Sequence, residues 1–217
     1  MLDIIVISYQ NLSLLQNCIN SIASNTTYPY RLIIVDNNSR KEVQDYIKSL
    51  VSDPILNDKN IGFTKAVNQG IKVASRPYFA VVCNDTEVSD GWDKSLIDTF
   101  KEDEKIRIVC PMSSSPQQTV YFDLFHRINH KFLYWKEYVP FFCTMFKRDL
   151  VDEIGLLDER FFMYAQDTDY CERTLKKGFK IAVNLETTVK HLHRVSAGKN
   201  HKELQQADLE RLRMKSY

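Results

Sequence analysis

The chain encodes an α/β fold, a mostly parallel sheet covered by helices on both faces. Short, wholly apolar segments predict the strands, because a strand buried on both faces has no reason to alternate. Between them apolar residues recur at helical spacing, so crossovers join successive strands and make them parallel. Three of the strands end in polar residues, which places one candidate site at the strands' carboxyl ends.

The elements follow in order. Asp3-Ile4-Ile5-Val6-Ile7-Ser8 is a buried strand, and Leu14, Leu15, Cys18, Ile19 and Ile22 mark one face of a helix. A strand over 31–35 runs into Asp36-Asn37-Asn38-Ser39, followed by a helix over 43–51 and a short strand at 55–56. The helix over 64–74 turns Ala66, Val67, Ile71 and Ala74 to one side. The strand over 78–83 ends at the turn Asn84-Asp85-Thr86. A helix over 92–100, a strand over 106–110 and a polar loop over 113–118 come next. A strand over 141–146 leads to a short helix over 148–154. The helix over 169–177 is closed by Gly178, ahead of a strand over 179–184, and a charged helix is expected over 202–217. The aromatic and basic stretch 121–138 shows no assignable period.

Bulk properties exclude several classes. At 217 residues the chain is long enough for one compact domain with a real core. It is 44% hydrophobic and 26% charged, which is ordinary for a soluble globular protein. A net charge of +1 gives no bulk attraction to nucleic acid. The longest apolar runs, 4–7 and 79–83, are far too short for a transmembrane segment. No basic segment followed by a long apolar region opens the chain, so no signal peptide is expected. Five scattered cysteines without a CxxC pair predict buried, reduced thiols in a cytoplasmic protein rather than a zinc site.

The candidate chemistry sits in a few segments. Phe161-Phe162-Met163-Tyr164-Ala165-Gln166-Asp167-Thr168-Asp169 carries an aromatic run directly into closely spaced carboxylates. Desolvation by such neighbours raises a carboxylate pKa and improves it as a base near neutral pH. Asp169 is expected to cap the helix or to pair with Arg173, one turn later. Asp36 is either a turn carboxylate or a contact to a nucleotide base or ribose. Gly62 can supply an unusual backbone conformation before a helix whose N-terminus, with Lys65, favours phosphate; otherwise Lys65 is a solvated charge. Asp85 at a strand end can hold Mg²⁺ or Mn²⁺ against a diphosphate, or simply make a turn. His191 is a structural imidazole or a ligand better suited to Mn²⁺. In the stretch 121–138, His126, Arg127, His130, Trp135 and Lys136 could meet a sugar and an anionic acceptor, or form a half-buried helix with a wet face. Met145 and Met163 read as core filler.

From Asp3 to about residue 198 these segments resemble, in order, the family 2 glycosyltransferases of the GT-A fold, in a rhamnosyltransferase-like branch. Ile33-Ile34-Val35-Asp36-Asn37-Asn38-Ser39 is similar to the family's second-strand motif, whose Asp contacts the pyrimidine. The run from Asn60 through Gly62, Phe63, Ala66 and Asn68 to Gly70 resembles the element lining the nucleotide-diphosphate pocket. Asn84-Asp85-Thr86 resembles the metal element, with Asp85 at the ligand position and Cys83 where a first Asp is usual; a thiol is a poor partner for a hard cation. His191 with Ser196 resembles the late element whose His completes the metal or diphosphate site, where Arg194 and Lys199 would add positive charge. In the aromatic segment Asp167 falls at the catalytic-base position and Gln166 replaces a Glu. Leu156 and Leu157 replace a Gly and a Phe before Asp158-Glu159, and Phe141 stands where a small residue is usual; these departures bear on specificity.

The resemblance implies inverting transfer from a UDP- or dTDP-linked sugar to an acceptor hydroxyl of a glycan or glycolipid, in polysaccharide assembly. The expected site is Asp167 as base; Ser8, Tyr9, Asp36, Asn60, Gly62, Lys65 and Asn84 for the nucleotide; Asp85 and His191 for Mn²⁺ or Mg²⁺. Phe162, Tyr164, Gln166 and Trp135 are expected near the acceptor or donor sugar. One domain over 1–217 is expected, with a nucleotide-sugar half at 1–110, an acceptor and catalytic half at 111–200, and a helical tail at 201–217. The expected location is cytoplasmic, with room for a peripheral membrane contact. Two other classes are a nucleotide-sugar binding module without turnover, and a nucleotidyltransferase. The second would carry a glycine-rich triphosphate loop, which Ser8-Tyr9-Gln10-Asn11 is not.

Overall fold

The computed structural model describes residues 1–114, 131–192 and 201–215. Loop residues 115–118, the basic residues His126, Arg127 and His130, and the late residues His193, Arg194, Ser196 and Lys199 lie outside the described residues.

The first half alternates as expected: β1 (Leu2–Ser8), α1 (Leu12–Asn25), β2 (Tyr30–Asp36), α2 (Lys41–Leu50), β3 (Ile55–Leu56), α3 (Phe63–Val73), β4 (Tyr78–Cys83), β5 (Thr86–Glu87), α4 (Trp92–Glu102). The second half adds β6 (Ile106–Ser113), β7 (Phe132–Trp135), β8 (Cys143–Lys147), α5 (Asp149–Ile154), α6 (Gln166–Lys176), β9 (Lys180–His191) and α7 (His201–Arg213). The strands lie in the order β3-β2-β1-β4-β8-β6-β9-β5, with β7 on β9. β1 pairs in parallel with β2 and β4, and β2 with β3. β8 enters antiparallel between β4 and β6, while β6 and β9 run parallel. Every residue of β1 is buried, as a central strand with helices over both faces requires. Gly70 lets α3 lie close on that strand: a Cβ there would stand 2.3 Å from Ile5 Cγ2.

The amino edge of the sheet is closed by ionic bonds. Asp3, fully buried, accepts from Arg31 Nε at 2.8 Å and from the amides of Ser75 at 2.7 Å and Arg76 at 3.0 Å. Burial alone would raise its pKa; the Arg31 bond and the Arg76 and Ser75 amides outweigh it and hold the carboxyl below its ordinary value.

Several elements depart from the sequence expectation: β6 runs to Ser113 rather than 110, and β5 is an additional short strand. α6 begins at Gln166 rather than 169, because Ala165 turns the chain with φ 62° and no side-chain cap marks the start. β9 runs to His191 rather than 184: its register to β6 jumps from Pro111↔Asn184 to Met112↔Thr188, so residues 185–187 bulge out. Asn184 holds that bulge, its Oδ1 accepting from the Glu186 and Thr187 amides at 3.1 and 2.8 Å. Part of the unassigned aromatic stretch is the edge strand β7, antiparallel to β9. All five cysteines are free thiols. Among the described residues no helix is long and apolar enough to cross a membrane.

Candidate active site

The carboxyl ends of β1, β2 and β4 are tied to one another by backbone and amide hydrogen bonds. Asn37 N donates to Ser8 O at 2.8 Å, Asn84 N to Ile7 O at 3.2 Å, and Asn84 Nδ2 to Tyr9 O at 3.4 Å. Asn37 reaches onward, donating to Asn60 Oδ1 at 3.0 Å and accepting from Ile61 N at 3.1 Å. Above these ends lies a cavity of about 250 Å³. Tyr9, Asn37, Asn60 and Phe63 form one side; Cys83, Asn84, Asp85 and His191 come from the ends of β4 and β9. Phe141, Phe142, Met163, Tyr164, Gln166 and Asp167 complete it.

Asp167 stands in the first turn of α6, half-buried, with Oδ1 accepting from the Thr168 amide at 2.8 Å. Burial pushes its carboxyl from 3.8 up to about 6, against the lowering pull of that amide, of its own amide and of the Thr168 hydroxyl. The pull is too weak to restore the ordinary value, so Asp167 changes charge just below neutral pH. Its neighbour Gln166 is buried, and its Oε1 has no protein partner. Asp169 faces elsewhere: fully buried, it pairs with Arg173 at 3.0 Å and with Lys215, which is the pairing expected from helical spacing.

Asp85 and His191 come together. Asp85 Oδ1 and His191 Nε2 are 3.4 Å apart, and the imidazole stacks on Phe142 at 4.7 Å with an interplanar angle of 10°. Pairing of Thr86 with His191 across β5 and β9 fixes this meeting. One carboxylate oxygen and one imidazole nitrogen suit a hard divalent cation that also tolerates nitrogen, such as Mn²⁺, with other positions left for phosphate or water. No group of three metal-ligating side chains occurs among the described residues. The thiol of Cys83 is a soft donor and a poor third ligand for a hard cation, and it donates to Phe141 O at 3.8 Å.

The structure does not bring every expected residue to the cavity. Lys65 is exposed on α3 and away from it. Gly62, with φ 88°, is covered instead by Phe162: a Cβ would lie 2.6 Å from Phe162 O, and that carbonyl accepts from Thr64 N. The α3 N-terminus is therefore partly filled by protein rather than open to phosphate. Phe162 covers Gly62 with its ring as well as its carbonyl: ring Cδ2 would lie 2.7 Å from that Cβ. Trp135 pairs with Ile181, at the opposite end of β9 from His191, and its Nε1 donates to Tyr138 O at 3.2 Å. Ser8 and Asp36 are paired in register below the cavity. Asp36 Oδ2 accepts from Ser39 N at 2.8 Å, a turn bond, whereas Asp36 Oδ1 and Ser8 Oγ are buried without partners. Asn68 is structural, exchanging bonds with the backbone of Leu157 at 2.9 and 3.1 Å.

Sequence reasoning missed Asn37, Phe63, Phe142 and Met163 as cavity residues. Met163 is in the wall, not core filler, while Met145 is fully buried. Asn37 and Phe63 sit beside residues that were singled out; Phe142 carries no signal apart from its neighbour Phe141.

Comparisons with known proteins bear on the family and the fold. The family model described as Glycosyl transferase family 2 matches residues 3–155. No curated protein sequence matches the chain. Among solved structures, GalNAc-T7 with UDP, GalNAc and Mn²⁺ superposes with a TM-score of 0.74 at 14% identity, over 91% of this chain and 44% of that one. TarS of S. aureus gives 0.66 at 13% identity, over 88% of this chain and 36% of that one. The chain thus spans less than half the length of either, and what they share with it is the GT-A fold expected from the sequence.

Proposed function

The chain belongs to glycosyl transferase family 2, and from that premise we propose that it transfers a sugar, with inversion, from a UDP- or dTDP-linked donor to an acceptor hydroxyl of a glycan or glycolipid. One observation carries the reading: a carboxylate whose pKa is pushed up to about 6 shares one cavity with the Asp85–His191 pair. Asp167 takes the proton of the acceptor hydroxyl as its oxygen bonds to the anomeric carbon and the bond to the diphosphate breaks. Its neutral neighbour Gln166 offers an unpaired oxygen to a sugar hydroxyl, and Tyr164 and Phe141 supply apolar surface to the ring. Tyr9, Asn37, Asn60 and Asn84 face the nucleotide; Asp36 is fully buried outside the cavity lining, so its unpaired Oδ1 would accept from a pyrimidine N–H only once uncovered.

Asp85 and His191 would hold a divalent cation, Mn²⁺ better than Mg²⁺ by their donor atoms. When bound, the ion supplies positive charge where the departing diphosphate gains negative charge. GalNAc-T7 was solved with UDP and Mn²⁺, which supports the same pairing here by likeness of fold. A nucleotide-sugar binding module without turnover is the second reading. Cys83 favours it, because Asp85 is left without a carboxylate partner at the strand end. Turnover separates the two.

Calorimetry with UDP, dTDP, ADP and GDP, each with and without Mn²⁺, tests the pocket. The expected result is pyrimidine diphosphates bound roughly tenfold more tightly, as an unpaired base edge costs about 1–3 kcal/mol. Equal affinity for all four counts against it.

A further inference from the structure

Three successive backbone N–H groups beside the cavity serve no helix or strand. They point at one carboxylate. Phe162 N donates to both oxygens of Asp208 at 3.1 and 3.0 Å, Met163 N at 2.9 Å and Tyr164 N at 3.0 Å. Asp208 is fully buried on α7, and Arg211 holds its Oδ1 at 2.5 Å. Past α7, Lys215 bonds Asp158 at 2.9 Å and also Asp169 on α6. The C-terminal helix therefore grips the segment before Asp167 and the helix that carries it.

The clamped residues matter to the cavity. Met163 and Tyr164 line it, and one residue later Ala165 makes the left-handed turn that starts α6. Residues 156–164 lie outside the helices and strands; Asn68 anchors Leu157 and Thr64 N donates to Phe162 O, and Asp208 is the acceptor that takes the amides of Phe162, Met163 and Tyr164. Buried amides without acceptors cost about 1–3 kcal/mol each, so without a partner they would turn to water. Met163 and Tyr164 line the same cavity as Asp167, so displacing this wall alters the surroundings of that carboxylate.

We propose that Asp208 is a positioning residue for glycosyl transfer: by binding the amides of Phe162, Met163 and Tyr164 it fixes the acceptor-side wall and the presentation of Asp167. This rests on Asp167 being the base. The geometry explains how a residue 41 positions after Asp167 can govern it without touching substrate.

The test reads three quantities on wild type, Asp208→Asn and Asp208→Ala: the ¹³C-carboxyl titration of Asp167, transfer kinetics, and donor affinity by calorimetry. Asp208→Asn keeps one acceptor oxygen and remains readable should the alanine variant fail to fold. In the variants the Asp167 midpoint falls from near 6 toward the ordinary carboxylate value. Turnover drops about tenfold or more, the scale of a misplaced catalytic group, while donor affinity stays within about threefold. A purely structural role would lower only the melting temperature. Folded variants with wild-type Asp167 titration and wild-type turnover overturn the proposal. Persistent turnover in Asp167→Asn would defeat the glycosyl-transfer base alone, because the carboxyl titration still reports whether Asp208 shapes its surroundings. A wild-type Asp167 that titrates at the ordinary carboxylate value contradicts both.

Discussion

The two edges of the sheet each bury a carboxylate, and they treat it oppositely. At the amino edge Asp3 receives a guanidinium and two backbone amides, and its pKa falls. At the carboxyl edge Asp167 receives the Thr168 amide, its own amide and the Thr168 hydroxyl but no cation, and its pKa rises to about 6. Desolvation is the largest influence on both; what differs is how fully the partners compensate it. Full compensation produces a structural ion pair that stays charged. Incomplete compensation produces a group that exchanges a proton near neutral pH, at a cost to stability. Buried side-chain atoms without a hydrogen-bond partner include Asp36 Oδ1, Ser8 Oγ and Gln166 Oε1 at the carboxyl edge, and Arg76 Nε beside Asp3 at the amino edge.

The largest effect expected from this contrast is on catalysis. Asp167→Asn should lower transfer by about a hundredfold or more while leaving donor affinity intact, the usual scale of a lost general base. Asp169→Asn should act on melting temperature instead, since Asp169 faces Arg173 and Lys215.

Next in size is the structural carboxylate. Asp3→Ala strands Arg31 and the two amides, and should cost about 2–3 kcal/mol; this is discounted from a fully buried pair because Arg31 is 40% exposed. Nucleotide affinity of the folded fraction should not move. The sign with pH follows from the lowered pKa. Asp3 contributes above its unfolded value of 3.8, and the contribution is lost as pH falls through the lower folded value. Urea titrations of wild type and variant should therefore converge at strongly acid pH; a gap that persists there would place the cost in packing rather than charge.

A change of about tenfold is expected at the cation pair. Asp85→Ala should abolish the Mn²⁺-dependent tightening of nucleotide-diphosphate binding. His191→Ala should weaken it less, since water can replace one ligand of a hard cation. Diphosphate affinity unchanged by chelator would remove the metal from the account.

The smallest effect has the opposite sign. Between pH 3.8 and about 6 the folded protein binds more protons at Asp167 than the unfolded chain, so ionisation there weakens the fold as pH rises. Asp167→Asn should raise the melting temperature by roughly a few degrees at pH 7.5 and by nothing at pH 4. A variant destabilised at both would mean that the carboxylate is structural after all.

Much of this was legible in the chain. Apolar runs located β1, β2 and β4, and their polar ends converge on the cavity, because a parallel sheet exposes its carboxyl ends together. Asp167 itself was located through the likeness of its segment to the family. What was not legible has identifiable causes. The start of α6 is set by the left-handed Ala165, which carries no capping side chain to read. The length of β9 was hidden by the bulge at 185–187. Asp208 was invisible because its partners are backbone amides more than forty residues away, and amides leave no mark in a sequence. Lys65 looked like a phosphate ligand from its place in the first turn of α3, but the carbonyl of Phe162 occupies that end.

On the proposed reading, the carboxyl edge leaves Asp167 undercompensated so that it can act as a base. The pH dependence of acceptor kcat/KM in the wild-type protein tests it most directly. The account predicts a rate that rises with pH as a single ionisation with a midpoint near 6, and that this rise is absent from the residual activity of Asp167→Asn. A profile flat from pH 5 to 8, or a midpoint at the ordinary carboxylate value, would contradict it.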